Sequence, residues 1–356
     1  MVAEERLYSA SIFIKGTCMS TRFDIRWLLL GSAIILALSL GVRHAFGLFL
    51  DPMSNHFGWE REVFSFAIAA QNLIWGLSQP FVGMFADRYG VRLTVAITGS
   101  LYALGLFFMA QASDSTSLFL SAGLLIGLGL TGTSFPVLLS AIGRSVAPEK
   151  RSMAMGIASA AGSFGQFAML PGTLGLIEWL GWSAALLVCA ALILLLLPLS
   201  LMLREKQPEV TNQVRISTKE AFQQAARHTP FWLLCCGYFV CGFQVVFIGV
   251  HIPTYLLDQQ LSVQTGTVVL ALVGLFNIAG TWVAGWLGAR FSKPRLLVWI
   301  YSLRTLVIIA FVFTPTTIFT AYLFGVAMGL LWLSTVPLTN GTIATLFGVR
   351  HLSMLT

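Results

Sequence analysis

Acidic side chains are absent from the places where a buried charge would need one. The 356 residues hold 14 Asp and Glu against 21 Lys and Arg, and charged residues make up only 10% of the chain. No Asp or Glu falls within a long apolar stretch, whereas Arg43 and Arg304 both do. That absence argues against a buried-acid site for a cation. The five cysteines (Cys18, Cys189, Cys235, Cys236 and Cys241) show no metal-ligand or disulfide spacing, so they read as small packing residues. No Gly-rich loop precedes a lysine, which disfavours nucleotide-driven chemistry in this chain. No span carries paired acids or a nucleophile beside a base, so no enzyme activity, metal or cofactor is expected. Residues 1–25 are not expected to be a secretory leader, because Glu4 and Glu5 sit near the start and no apolar core with a cleavage site follows. Met19 is an alternative start, since Arg22 and Arg26 would then flank the first span.

Apolar residues dominate instead. The chain is 57% hydrophobic and its mean hydropathy is +0.83. Runs of about 20 apolar residues predict transmembrane helices. Ten are expected, over 26–50, 62–83, 92–111, 116–141, 152–177, 181–203, 231–257, 264–289, 296–314 and 317–346. With the N-terminus in the cytoplasm, 18 of the 21 basic residues fall on cytoplasmic segments, two in the membrane and one, Arg61, outside. This bias sets the orientation. It also explains the net charge of +7 without a nucleic-acid partner.

One long polar stretch, 204–229, divides a cytoplasmic tail and six-helix unit (1–25 and 26–203) from a second unit over 230–356. Within it, Ser217 and Glu220 have the spacing of a capping box ahead of Ala221 and Phe222, predicting a short interfacial helix. The two units repeat at an offset of 202 residues, which maps Gly83 to Gly285, Arg88 to Arg290, Tyr89 to Phe291 and Gly127 to Gly329. Parallel repeats of this kind are a known transporter plan. At the same offset Thr356 matches position 154, where span five begins. The expectation is a C-terminally truncated chain holding the first four helices of its second unit.

The segment Gly83-Met84-Phe85-Ala86-Asp87-Arg88-Tyr89-Gly90-Val91-Arg92 resembles the signature G-x-x-x-D-R-x-G-x-[RK] between helices two and three of the major facilitator superfamily. Gly83 would allow close helix approach and Gly90 a tight turn. Asp87 would neutralise a helix end or pair with an Arg, and Arg88 and Arg92 complete the gating loop. The second copy has Ala289 in place of the acid. A narrower resemblance rests on Gly41-Val42-Arg43-His44-Ala45-Phe46-Gly47-Leu48-Phe49 and on Phe57-Gly58-Trp59 ahead of span two. These are similar to the monocarboxylate-transporter and oxalate–formate-antiporter branch. The resemblance implies an all-α polytopic bundle whose helices one, four, seven and ten line a central cavity.

Arg43 lies eight residues before Asp51, or ~12 Å of helix, inside the hydrocarbon. A charge there costs about 2.5–3.5 kcal/mol on insertion scales, and a substrate carboxylate would give it a charge-assisted partner. Snorkelling to headgroups or hydrogen bonding to carbonyls is the competing role. Arg304 is a weaker candidate, because helix nine stands outside the cavity in the family plan. His44, Gln71, Asn72, Gln244, His251, Asn277 and Asn340 are the other polar side chains that could line the site, or could tie helices together. Span five carries Gly156, Gly162, Gly165 and Pro171-Gly172, which suit close packing.

The expected function is secondary active, alternating-access transport of a small organic anion, monocarboxylate-like, across a bacterial inner membrane by a monomer. Coupling to protons, carried by His44 or His251, and exchange against a counter-anion both stay open. The alternatives are efflux of apolar or drug-like compounds and a transport-inactive truncated membrane protein.

Overall fold

The computed structural model describes residues 25–204 and 223–347. Positions 1–24, which hold nearly all of the expected tail, the Ser217–Glu220 capping box and positions 348–356 lie outside the described residues.

Ten long helical segments follow one another, and no strand occurs among the described residues. They are α1 (Ile25–Phe57), α2 (Arg61–Tyr89), α3 (Val91–Met109), α4 (Ser115–Ser145), α5 (Pro148–Leu180), α6 (Trp182–Ser200), α7 (Thr229–Asp258), α8 (Val263–Arg290), α9 (Lys293–Phe313) and α10 (Ile318–Phe347). Among the described residues nine are both long and apolar enough to cross a membrane. The tenth, α2, has the length at 29 residues. Its hydropathy is lowered by Gln71, Asn72, Ser78, Gln79 and Pro80, of which Gln71 and Gln79 are buried.

Two expected boundaries move. The first span does not stop at residue 50. It passes through a tight 3₁₀ stretch, Ala45–Phe49, and runs to Phe57, where Gly58 adopts φ 67° and its N–H returns to the Ser54 carbonyl. Only glycine takes that left-handed cap without strain. The Gly83–Tyr89 motif is not a loop but the last turns of α2. The connection is Gly90 alone, at φ 91°, which ends α2 and starts α3.

Two helices are broken. Helix α4 begins on an Asp114–Ser117 capping box, passes through π-helical turns at Phe119–Leu125, and is interrupted at Thr133 and Ser134. Helix α10 begins on a Thr317–Thr320 capping box and is interrupted at Trp332–Ser334. Pro136 and Pro337 open the two second segments, where a missing N–H cannot continue the ladder.

Helix α1 lies along α5, α2 and α3 clasp α4, and α8 lies along α10. The units meet where α8 lies along α5 and where the 3₁₀ stretch of α1 meets α7. Glycine makes these approaches possible: a Cβ at Gly41 would stand 2.8 Å from the Gly165 carbonyl oxygen, one at Gly274 2.8 Å from the Phe167 nitrogen, and one at Gly47 2.9 Å from the Gly249 carbonyl oxygen. The internal repeat is visible in the same contacts. Gly123 and Gly127 on α4 face the carbonyls of Ala67 and Gln71 on α2. Gly325 and Gly329 on α10 face those of Val269 and Val273 on α8, each 202 positions later.

Candidate anion site

Arg43 stands in the last regular turn of α1, just before the 3₁₀ stretch, and is half-buried. Its Nη2 donates to Oδ1 of Asn72 on α2 at 2.6 Å, and its guanidinium carbon lies 4.7 Å from the centre of the Trp75 ring. Asn72 and Trp75 are three residues apart, so they share one face of α2. Asn72 is itself oriented by donating Nδ2 to the Ile68 carbonyl at 2.7 Å, and Trp75 by donating Nε1 to Ser134 Oγ, at the α4 break, at 3.3 Å. Thus every partner that Arg43 has among the described residues is neutral. No carboxylate lies within ion-pair distance of it there, and its Nε is buried with no acceptor. A guanidinium fixed on one side and unsatisfied on the other is equipped to take an oxyanion.

His44 is the neighbouring half-buried group. Its Nδ1 sits 2.6 Å from the Leu40 carbonyl, an acceptor, so Nδ1 carries the proton and donates. Nε2 is then a buried acceptor without a partner among the described residues.

The structure does not gather the other candidates around Arg43. Gln71 is 1% exposed and ties α2 to α4 by donating to the Ala122 carbonyl at 2.8 Å. Asn277, fully buried, donates to Ser163 Oγ on α5 and accepts from the Leu333 N–H on α10. Asn340 is buried in α10 with Nδ2 unpartnered among the described residues. His251 lies on the exposed face of α7 with its ring 5.0 Å from that of Phe247. Gln244 accepts from Arg304 at 3.3 Å. Arg304 has no exposure at all and spends its donors on Leu331, Trp332, Cys241 and Gln244. That placement fits a structural role for Arg304.

At one end of the bundle, Asp87 receives Arg144 Nη1 of α4 at 2.6 Å, an ion pair within the first unit. Gly83 is buried, while Arg88 and Arg92 are exposed, Arg88 over the Tyr89 ring. At the other end, Arg61 lies 3.3 Å from Asp51 in its own unit and 3.7 Å from Asp258 on α7, so it links the two units. Around it a cleft of about 680 Å³ is lined by Asp51, Trp59, Glu62 and Leu257, among others. Sequence reasoning missed Trp75 and the linking role of Arg61. Trp75 was recoverable from its spacing to Asn72. Arg61 was not, because its second partner comes from a distant helix.

A family model described as the Major Facilitator Superfamily matches residues 29–355. Monocarboxylate transporter 11 of Mus musculus is 27% identical over 304 residues, covering 82% of this chain and 66% of that protein. The oxalate:formate antiporter of Oxalobacter formigenes is 22% identical over 290 residues, covering 80% and 69%. An uncharacterized MFS-type transporter of Escherichia coli, YhjX, is 23% identical over 341 residues, covering 92% and 82%. The chain thus spans just under two thirds of the length of the mouse relative. With nine apolar spans among the described residues and a match along nearly the whole chain, it is an integral membrane protein of the Major Facilitator Superfamily, akin to its monocarboxylate and oxalate–formate branch.

Proposed function

We propose that this protein carries a small organic anion, monocarboxylate-like, by alternating access, with Arg43 as the charge that receives the carboxylate. The observation that supports this most is the half-buried Arg43 guanidinium, held on Asn72 and Trp75, with no acid near it and one N–H without an acceptor among the described residues. Leaving such a charge uncompensated is costly, and a substrate carboxylate supplies the missing acceptor. Names of relatives that move monocarboxylates, oxalate and formate agree with an anion. His44 Nε2, beside Arg43, is the group on which a coupled proton or a substrate hydroxyl would land. The positive-inside bias supports a cytoplasmic N-terminus and Asp87 end, and a bacterial inner membrane suits the bacterial carriers among the relatives. The Arg61 mouth is then external, and the Arg61–Asp258 pair between the units favours its closed state.

The test is competition in proteoliposomes. Uptake of a labelled monocarboxylate should be displaced by other carboxylates and left alone by lipophilic cations. Displacement by lipophilic cations, with carboxylates inert, would replace this reading with drug efflux.

A further inference from the structure

The two units hold their broken helices with the same positions but different chemistry. In the first, Ser39 Oγ lies 2.8 Å from Thr133 Oγ1 at the α4 break, and Tyr102 on α3 donates to the Ser39 carbonyl at 3.1 Å. The equivalents 202 positions later are Cys241, Thr335 and Arg304. Cys241 Sγ lies 3.3 Å from Thr335 Oγ1, repeating the first contact. Arg304, however, stands where the first unit has a tyrosine.

A guanidinium has five N–H donors, and this one is fully engaged. Nε and Nη2 both reach the Leu331 carbonyl, at 3.0 and 2.7 Å, and Nη2 also reaches the Trp332 carbonyl. Nη1 reaches Gln244 Oε1 and Cys241 Sγ on α7. Leu331 closes the first segment of α10, so the cation sits on the negative end of that helix, where its carbonyls have no helical partner. The far side of the break is held as well. The Leu333 N–H donates to Asn277 Oδ1 at 2.9 Å, and Asn277 Nδ2 donates to Ser163 Oγ of α5, in the other unit, at 2.8 Å.

We infer that Arg304 and Asn277 are positioning residues of the transport step. Arg304 makes α7, α9 and α10 one rigid body through the α10 break, and Asn277 keeps that body in register with α5. The α4 break, held by hydroxyls and by the Trp75 indole N–H on Ser134 with no cation on its carbonyls among the described residues, is then where the bundle bends. Bistable elements hinge where few bonds oppose the change in backbone angle, and the two breaks differ in that respect. This inference rests on the transport reading above, and its structural part is measured separately from substrate binding.

The experiment uses Arg304→Tyr, the residue of the first unit, and Arg304→Lys, which keeps the charge without the fork. Three quantities are measured in the full chain: the Kd for a monocarboxylate probe, its exchange turnover in proteoliposomes, and hydrogen exchange at 335–343. Both variants should keep Kd within about threefold and lose turnover at least about tenfold, the ratio that marks a positioning role. Exchange at 335–343 should rise while that at 135–143 stays put. Wild-type turnover in Arg304→Lys, or Kd and turnover falling by the same factor, overturns the inference. If the Arg304 variants fail to insert, Asn277→Ala frees the Leu333 N–H from the opposite side. Wild-type exchange and turnover there would equally overturn it. A parent protein that binds no carboxylate contradicts the substrate assignment instead, and hydrogen exchange alone then decides the hinge.

Discussion

Two arginines at membrane depth differ in how far the protein satisfies them, and the difference lies in their acceptors. Arg304 meets four protein acceptors and no solvent, whereas Arg43 meets one amide oxygen and an indole face. Replacing Arg43 with Gln should therefore leave insertion intact while weakening carboxylate binding by roughly 10- to 100-fold, from about 1.5–3 kcal/mol for a charge-assisted hydrogen bond. Binding isotherms on the purified variant measure this. Trp75→Leu removes a cation–π contact of about 0.5–2 kcal/mol and a side chain that spans from Arg43 to Ser134. A smaller loss of affinity, at most about tenfold, should follow in the same isotherms. The sequence shows both arginines at depth and shows that no acid accompanies them. It cannot show which one is satisfied, because two acceptors of Arg304 are main-chain carbonyls at a helix break and the other two come from a distant helix. His251 illustrates the same limit: a histidine beside a proline in a span reads as functional, yet helix rotation turns it to the exposed side with Phe243 and Phe247.

Among the elements, helix identity is legible and helix ends are less so. The pattern of apolar runs gives ten segments, and α2 is among them even though its amides dilute the signal. The runs past residue 50 and past residue 83 are missed because Asp51 and Asp87 read as membrane edges, whereas a helix continues into water until a glycine such as Gly58 or Gly90 stops it. The glycines of α5 separate into two kinds that spacing cannot distinguish. A Cβ at Gly165 would overlap the Ala37 carbonyl of α1, but one at Gly172 or Gly175 would meet nothing within 4 Å. Gly165→Ala should thus destabilise the α1–α5 contact by about 1–3 kcal/mol, as overpacking does. Gly172→Ala should be neutral or slightly stabilising, as Ala restrains the chain more than Gly. Thermal unfolding in detergent ranks the two. The α3–α4 connection makes a smaller case. The Ser117 N–H holds the exposed Asp114 carboxyl below its ordinary range. Its cap is therefore complete at neutral pH, and it weakens as pH falls through that depressed value. The protection factor of the Ser117 amide should fall in acid, and Asp114→Ala should remove that acid dependence.

Over the whole molecule, the repeat is what turns single contacts into a mechanism. The offset of 202 residues, read first from Gly83 and Gly285, recurs in the glycine–carbonyl contacts of α4 with α2 and of α10 with α8. The units then touch through α5 with α8 and through α1 with α7, and they are linked at one end by Arg61 with Asp258. Partly exposed ion pairs of this sort contribute about 0–1 kcal/mol and are screened by salt. Arg61→Ala should accordingly shift the population open at that end by no more than about fivefold, and the shift should shrink at high ionic strength. Distances between spin labels at positions 55 and 257 report it. The central claim, that a carboxylate is the missing acceptor of Arg43, has one direct measurement: calorimetric titration of the purified full chain and its Arg43→Gln variant with a short monocarboxylate, beside an uncharged amide of the same shape. Saturable binding of the carboxylate to the parent, lost in the variant and absent for the amide, is the predicted result. Equal binding of the carboxylate to parent and variant would contradict it.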